Sequence, residues 1–145
     1  MDKIVIKEME CVEPEYIVAV NALLKQLTST PVSVTADFLK RMVASESSHL
    51  YFIYYQDEIA GMLTLGTYLS PTGPKSWVED VVVDEKFRGH ALGRQLVQYA
   101  IAEAGKIPGN VLMLTSKPKR VAANALYRSI GFQSKETNVY KMDFE

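Results

Sequence analysis

The segment VDEKFRGHALG places a basic, glycine-bearing turn, RGHALG (88–93), between an apolar run and a stretch with helical spacing. Gly89 and Gly93 remove side chains close to the main chain, and Ala91 is the smallest chiral residue that can stand between them. The N–H groups of residues such as His90 and Leu92 then stand at the positive end of a helix dipole, where phosphate groups bind. Arg88 adds a directed charge, with Lys86 and His90 at the rim. Two common phosphate motifs are not present in full. There is no longer Gly-rich loop ending in Lys and Ser or Thr, and no early dinucleotide fingerprint with its acidic residue about 20 positions on. Alone, the same residues also suit a helix start whose small side chains serve packing.

A second constellation lies just upstream. SWVEDVVV (76–83) carries the adjacent carboxylates Glu79 and Asp80. Neighbours on a regular strand point to opposite faces, so only one of them enters a given pocket. Regular alternation puts Trp77, Glu79, Val81 and Val83 on one side and Val78, Asp80 and Val82 on the other. A carboxylate on the pocket side accepts a proton from an amine, directly or through water, when its pKa suits the task. Structural ion pairing and substrate binding use the same residue types.

The elements that must position these groups follow from periodicity. KIVIKEM (3–9) alternates as a first strand, and PEYIVAVNALLKQL (14–27) repeats apolar residues at helical spacing behind a proline suited to a helix start. Thr35 or Asp37 caps a second short helix running through VASES (43–47). HLYFIYYQDEIAGMLTLGTYL (49–69) reads as a hairpin, followed by a turn at SPTGP (70–74) and the 76–83 strand. A helix is expected over 90–104, stopped by GKIPG (105–109), and NVLMLTS (110–116) reads as a buried strand. Strand, helix and strand in that order imply a parallel crossover. A late helix runs through KPKRVAANALYRSIGF (117–132) to Gly131, a short strand starts at Phe132, and ETNVYKMDF (136–144) supplies another. The plan is α/β, with a mixed central sheet and helices on both faces.

Composition sets limits on the partner. The chain has 145 residues, 48% of them hydrophobic, which suits a single domain over residues 1–145. Sixteen Lys and Arg against seventeen Asp and Glu leave a net charge of -1, which advertises neither a nucleic acid nor an anionic membrane. Any anion is therefore gripped locally. Cys11 is the only cysteine and reads as a small apolar residue, and two distant histidines suggest no metal cluster. The start carries no signal-peptide pattern, and the default compartment is the cytoplasm.

RGHALG resembles the acyl-coenzyme A binding motif of the GNAT superfamily of acetyl-coenzyme A dependent N-acetyltransferases. Its pattern is Arg or Gln, two residues, Gly or Ala, one residue, Gly or Ala. Arg88, Ala91 and Gly93 meet those positions, and Gly89 is also typical. RVAANALYRSIGF (120–132) resembles the late helix of the family, with Asn124, Tyr127, Gly131 and Phe132 at familiar places. Arg120 departs from the pattern, standing where many members have Asn, while Asn124 matches another variant.

The resemblance implies a GNAT fold that binds acetyl-coenzyme A, with its pyrophosphate on the amides of Gly89, His90, Ala91, Leu92 and Gly93 and with Arg88 assisting. It further implies that the strand bearing Glu79 splays from its parallel neighbour, so that the main chain of Val81 and Val83 meets the pantetheine arm and the acetyl carbonyl. Asn124 and Tyr127 join the cofactor site. Acetyl transfer to an amine needs a neutral nucleophile, support for the developing oxyanion, and a proton for the departing thiolate. Tyr127 is the expected proton donor, Glu79 the expected base, and Trp77 with Glu79 the expected acceptor contacts. The acceptor reads as the primary amine of a small molecule, attacked directly in a ternary complex. A protein or peptide amine and a non-catalytic coenzyme A sensor remain as alternatives. Homodimerisation is common in the family. Tyr51, Tyr54, Tyr55, Tyr68 and Trp77 are candidates for an aromatic wall, although ordinary packing is the commoner use of such residues in strands.

Overall fold

Aromatic and branched residues dominate the strands, and their alternation decides which layer each side chain enters. The computed structural model describes residues 1–145, which divide into two compact units, Met1–Leu114 and Thr115–Glu145. In the first unit, β1 (Ile4–Glu8), β2 (Ser48–Tyr55), β3 (Glu58–Ser70), β4 (Gly73–Val83) and β5 (Val111–Met113) lie side by side in chain order. The first four pair antiparallel, and β5 joins β4 in parallel, as the crossover through a helix requires.

Helices α1 (Pro14–Leu27) and α2 (Ala36–Ala44) cover one face. Pro14 sits in the first turn of α1, where its missing N–H costs nothing. Thr35 Oγ1 caps α2 by accepting from the Phe38 N–H at 3.1 Å. The helix ends at Ala44, short of the expected 47, where Ser45 turns extended. Between the two helices, Asn21 bonds both the N–H and the C=O of Val34, pinning the connecting loop to α1. Val20, Leu23 and Leu39 from the helices meet Leu50, Phe52, Met62 and Val82 from the sheet in one buried cluster.

The opposite face receives α3 (Leu92–Gly105). Tyr51, between Leu50 and Phe52 in sequence, points this way and meets Tyr99 of α3 edge-on at 5.1 Å. Burial, then the nearby Glu8 carboxylate, pushes the Tyr51 phenol up. Fully buried Ser76 shares a hydrogen bond with Thr67 at 2.7 Å and accepts from Asn110 Nδ2 at 2.8 Å. Asn110 also donates to the Ala104 carbonyl, joining the end of α3 to the sheet.

Strand β5 is shorter than expected. Only residues 111–113 pair, and Val111 is half-exposed rather than buried. In the second unit, α4 (Val121–Ile130) is closed by Gly131 at φ 122°, a conformation that favours glycine. The strands expected from Phe132 and over 136–144 do not form. Alternation supplies strand character, but a ladder needs a paired edge, and Val139, Tyr140, Met142 and Phe144 remain exposed.

Candidate active site

The turn between β4 and α3 is built from strained and anchored positions in succession. Asp84 donates its N–H to the Ala60 carbonyl, and its carboxylate accepts from the Lys86 N–H. A single 3₁₀ turn, Glu85–Phe87, follows, tied to α1 by the Glu85 N–H on Gln26 Oε1 at 2.9 Å and to the core by buried Phe87. Then come Gly89 at φ 91° and Ala91 at φ 57°. Ala91 is the left-handed residue immediately before α3, so the helix starts at Leu92 rather than at the expected His90. A left-handed alanine costs about 1 kcal/mol.

That geometry exposes donors. The first N–H of α3 to find a carbonyl one turn back is that of Gln95, on Ala91 at 3.1 Å. The amides of residues 89–93 donate to no main-chain carbonyl. No atom lies within 4 Å of where a Gly89 Cβ would stand, so the space before the turn is open. The donor set and the open approach fit a phosphate or pyrophosphate at the positive end of α3, beside exposed Arg88.

Strand β4 is not regular. Thr64 faces Glu79 and Met62 faces Val82, so Asp80 and Val81 together oppose Leu63 alone. This is a β-bulge, and Asp80 adopts φ 52° within it. The expected alternation is therefore corrected beyond Glu79. Glu79, across from Thr64 and Leu50, shares the α1/α2 face with Val82, across from Met62 and Phe52. Val78 and Val83 share the α3 face, where Val83 Cγ2 lies 3.7 Å from the Cβ position of Gly93. Trp77, two residues before Glu79, stays with it, whereas Val83 does not.

The bulge leaves Glu79 and Asp80 both exposed. Local desolvation, then the charge of Asp80, holds the Glu79 carboxyl above its ordinary range. A carboxylate raised in this way is a better proton acceptor near neutral pH. Parallel pairing of β4 with β5 stops at Trp77 opposite Met113, so the main chain from Val78 onward has no β5 partner.

The tyrosines form no single wall. Tyr51 packs on Tyr99, Tyr54 packs with the α1/α2 cluster, and Tyr55 meets His90 and Phe87. Only Tyr68 and Trp77 of that group come together, with Trp77 Nε1 donating to Tyr68 Oη at 3.5 Å. His49 pairs with Glu8 at 3.1 Å, and Cys11 is exposed.

In the second unit, Asn124 Nδ2 donates to the Lys117 carbonyl at 2.9 Å, spending one donor on the loop before α4. Tyr127 is the one buried residue of α4, and its ring meets Phe132 edge-on at 6.1 Å. The Phe132 N–H returns to the Tyr127 carbonyl at 3.0 Å, fixing the end of the helix around the tyrosine.

Sequence reasoning missed the bulge and the partner of His90. The signal for the first was Asp80 itself, since Asp is depleted from strand interiors and enriched at positive φ.

The Acetyltransferase (GNAT) family model matches residues 18–132. No curated protein matches the sequence. Among solved structures, a putative acetyltransferase from Agrobacterium tumefaciens superposes with TM-score 0.83 at 21% identity, over 96% of this chain and 99% of the other. A glucosamine-6-phosphate N-acetyltransferase from Arabidopsis thaliana gives 0.77 at 20%, over 95% and 98%. An aminoglycoside N-acetyltransferase solved with CoA gives 0.78 at 13%, over 99% and 96%. At these identities the likeness establishes the fold.

Proposed function

Because the chain belongs to the Acetyltransferase (GNAT) family, we propose that it transfers an acetyl group from acetyl-coenzyme A to the primary amine of a small molecule, by direct attack in a ternary complex. The observation that carries this reading is the row of unpaired amides at residues 89–93, leading into the first turn of α3. Bound there, acetyl-coenzyme A supplies an activated thioester acyl group.

The chain's own residues divide the remaining work. The N–H groups of Gly89, His90, Ala91, Leu92 and Gly93 hold the pyrophosphate, with Arg88 adding charge. The main chain of Val81 and Val83 orients the arm and the acetyl carbonyl. Glu79 takes the proton of the attacking amine, supported by its raised pKa, and Trp77 on the same face borders the acceptor. Tyr127 gives its phenolic proton to the departing thiolate, and Asn124 contacts the carrier. These last two roles rest on the resemblance of residues 120–132 to the family's late helix.

A second acceptor class is favoured by one observation. Glu79 and Asp80 stand side by side and exposed, an open acidic surface that suits the amine of a protein or peptide. Cytoplasmic location and a homodimer complete the proposal.

Calorimetry of the purified protein with coenzyme A and acetyl-coenzyme A tests the carrier site, and absence of uptake would sink the reading. Thiol release with pooled small amines and with peptides, followed by mass identification of the product, separates the two acceptor classes. Binding without turnover on either panel would mark a coenzyme A sensor instead. Replacing Tyr127 with Phe should lower turnover by about 10²-fold while affinity for the carrier holds; unchanged turnover would remove Tyr127 from the acid role.

A further inference from the structure

His90 makes a contact that the carrier site does not explain. Its ring lies on that of Tyr55, centroids 4.3 Å apart and planes 26° from parallel. Tyr55 also meets Phe87, the buried last residue of the 3₁₀ turn, at 5.7 Å. Asp2 reaches both members of the pair. Its carboxylate lies 3.9 Å from His90 Nδ1 and, after desolvation, helps push the Tyr55 phenol up.

The anchor is firm on the Tyr55 side. This residue ends β2, paired with Ile4 on one side and Glu58 on the other, and the turn that follows it is tied down by Lys3. The turn side is anchored at its two ends by buried Phe87 and Leu92. His90 stands between Gly89 and Ala91, the two positive-φ residues of the segment. With no side chain at 89 and a methyl at 91, the imidazole is the one large handle on residues 89–91.

We propose that Tyr55, assisted by Asp2, is a positioning residue for the anion-binding turn: by holding the His90 ring it fixes the N–H groups of residues 89–93 in the orientation that receives a pyrophosphate. This rests on the carrier reading above. His90 then serves the ligand through its main chain, while its ring serves the sheet. Preorganised donors bind more tightly because less ordering is left to complete on binding.

The test compares Tyr55→Phe, Tyr55→Ala, His90→Ala and the double variant Tyr55→Ala/His90→Ala. Tyr55→Phe keeps the stack and should leave KM for acetyl-coenzyme A within about twofold of the parent. Tyr55→Ala and His90→Ala should each raise that KM roughly five- to tenfold, with kcat held, and the double variant should go no further. A KM unchanged in both alanine variants, additive effects in the double variant, or a fall in kcat alone would overturn the proposal. Should Tyr55→Ala fail to fold, His90→Ala removes the same contact from a surface turn and carries the comparison. Amide hydrogen exchange of residues 88–93 without ligand separates this idea from the carrier reading. If the parent binds no coenzyme A, that reading fails, and the positioning role still stands or falls on faster exchange in the alanine variants than in Tyr55→Phe.

Discussion

Two regions of the first unit hold non-glycine residues in the left-handed conformation, and they stabilise them differently. At the β2–β3 turn, Gln56 and Asp57 take φ 50° and 67°. Lys3 repays them: its N–H donates to Gln56 Oε1, its ammonium to Asp57, and its carbonyl accepts from the Gln56 N–H. In β4 and the turn that leaves it, Asp80 in the bulge and Ala91 before α3 adopt φ 52° and 57°. Ala91 has no polar side chain with which to offset the cost. The first pair shapes a hairpin whose twist suits such a turn. The second pair exposes Glu79 beside Asp80 and bares the amides of residues 89–93. Strain without local repayment falls where the candidate chemistry is, which is the pattern expected when function sustains it.

The sharpest break of this contrast is at Glu79. Glu79→Gln should lower turnover by about 10²- to 10⁴-fold if this residue is the base. The raised pKa fixes the sign of the pH dependence. In the parent, the rate should fall as pH drops through that pKa, above the ordinary carboxylate range, and Glu79→Gln should lose this limb of the profile. The same shift means that the ionised carboxylate opposes folding. Its relative contribution to stability is full at low pH and is lost as pH rises through the folded-state pKa, so Glu79→Gln should melt slightly higher than the parent at neutral pH. A variant that is both less active and less stable would argue for a structural ion pair.

Next in size is Gly89. A side chain there finds space but not a comfortable φ, so Gly89→Val should weaken coenzyme A binding roughly tenfold in calorimetry, through a distorted turn. Unaltered affinity would detach the turn from the carrier.

The smallest effect tests the contrast most directly. Ala91→Gly should raise stability by about 0.5–1 kcal/mol, read as a small rise in Tm, because glycine accepts the left-handed conformation without the clash. Gln56→Gly should give no such gain, since it also removes the acceptor for the Lys3 N–H. Equal responses at the two sites would erase the distinction.

Much of this was legible in the sequence, for reasons that can be stated. Strands β1 to β4 and helix α1 declare themselves because their apolar periodicity is local, and RGHALG declares itself because small residues, a basic residue and a helix start coincide. The bulge at Asp80 was hidden, since pairing two residues against Leu63 is decided by the neighbouring strand. Consequently Val83 was assigned to the face of Glu79 and belongs to the other. Helix α3 starts two residues late for a similar reason, the φ of Ala91. The tail over 136–144 shows the opposite failure: its alternation is clear, yet no strand forms, because the pattern specifies a side-chain arrangement without supplying an edge. The stack of His90 on Tyr55 joins residues far apart in the chain and left no local mark.

The extra residue in β4 also works as a phase slip. If every position of the strand were randomised and survivors sequenced, tolerance should alternate in step from Ser76 to Glu79, stumble at Asp80 and Val81, and resume out of step at Val82. The two ends of this one strand are thereby uncoupled in phase, so a substitution at the end bearing Trp77 and Glu79 does not dictate which face a residue takes at the end leading into the turn.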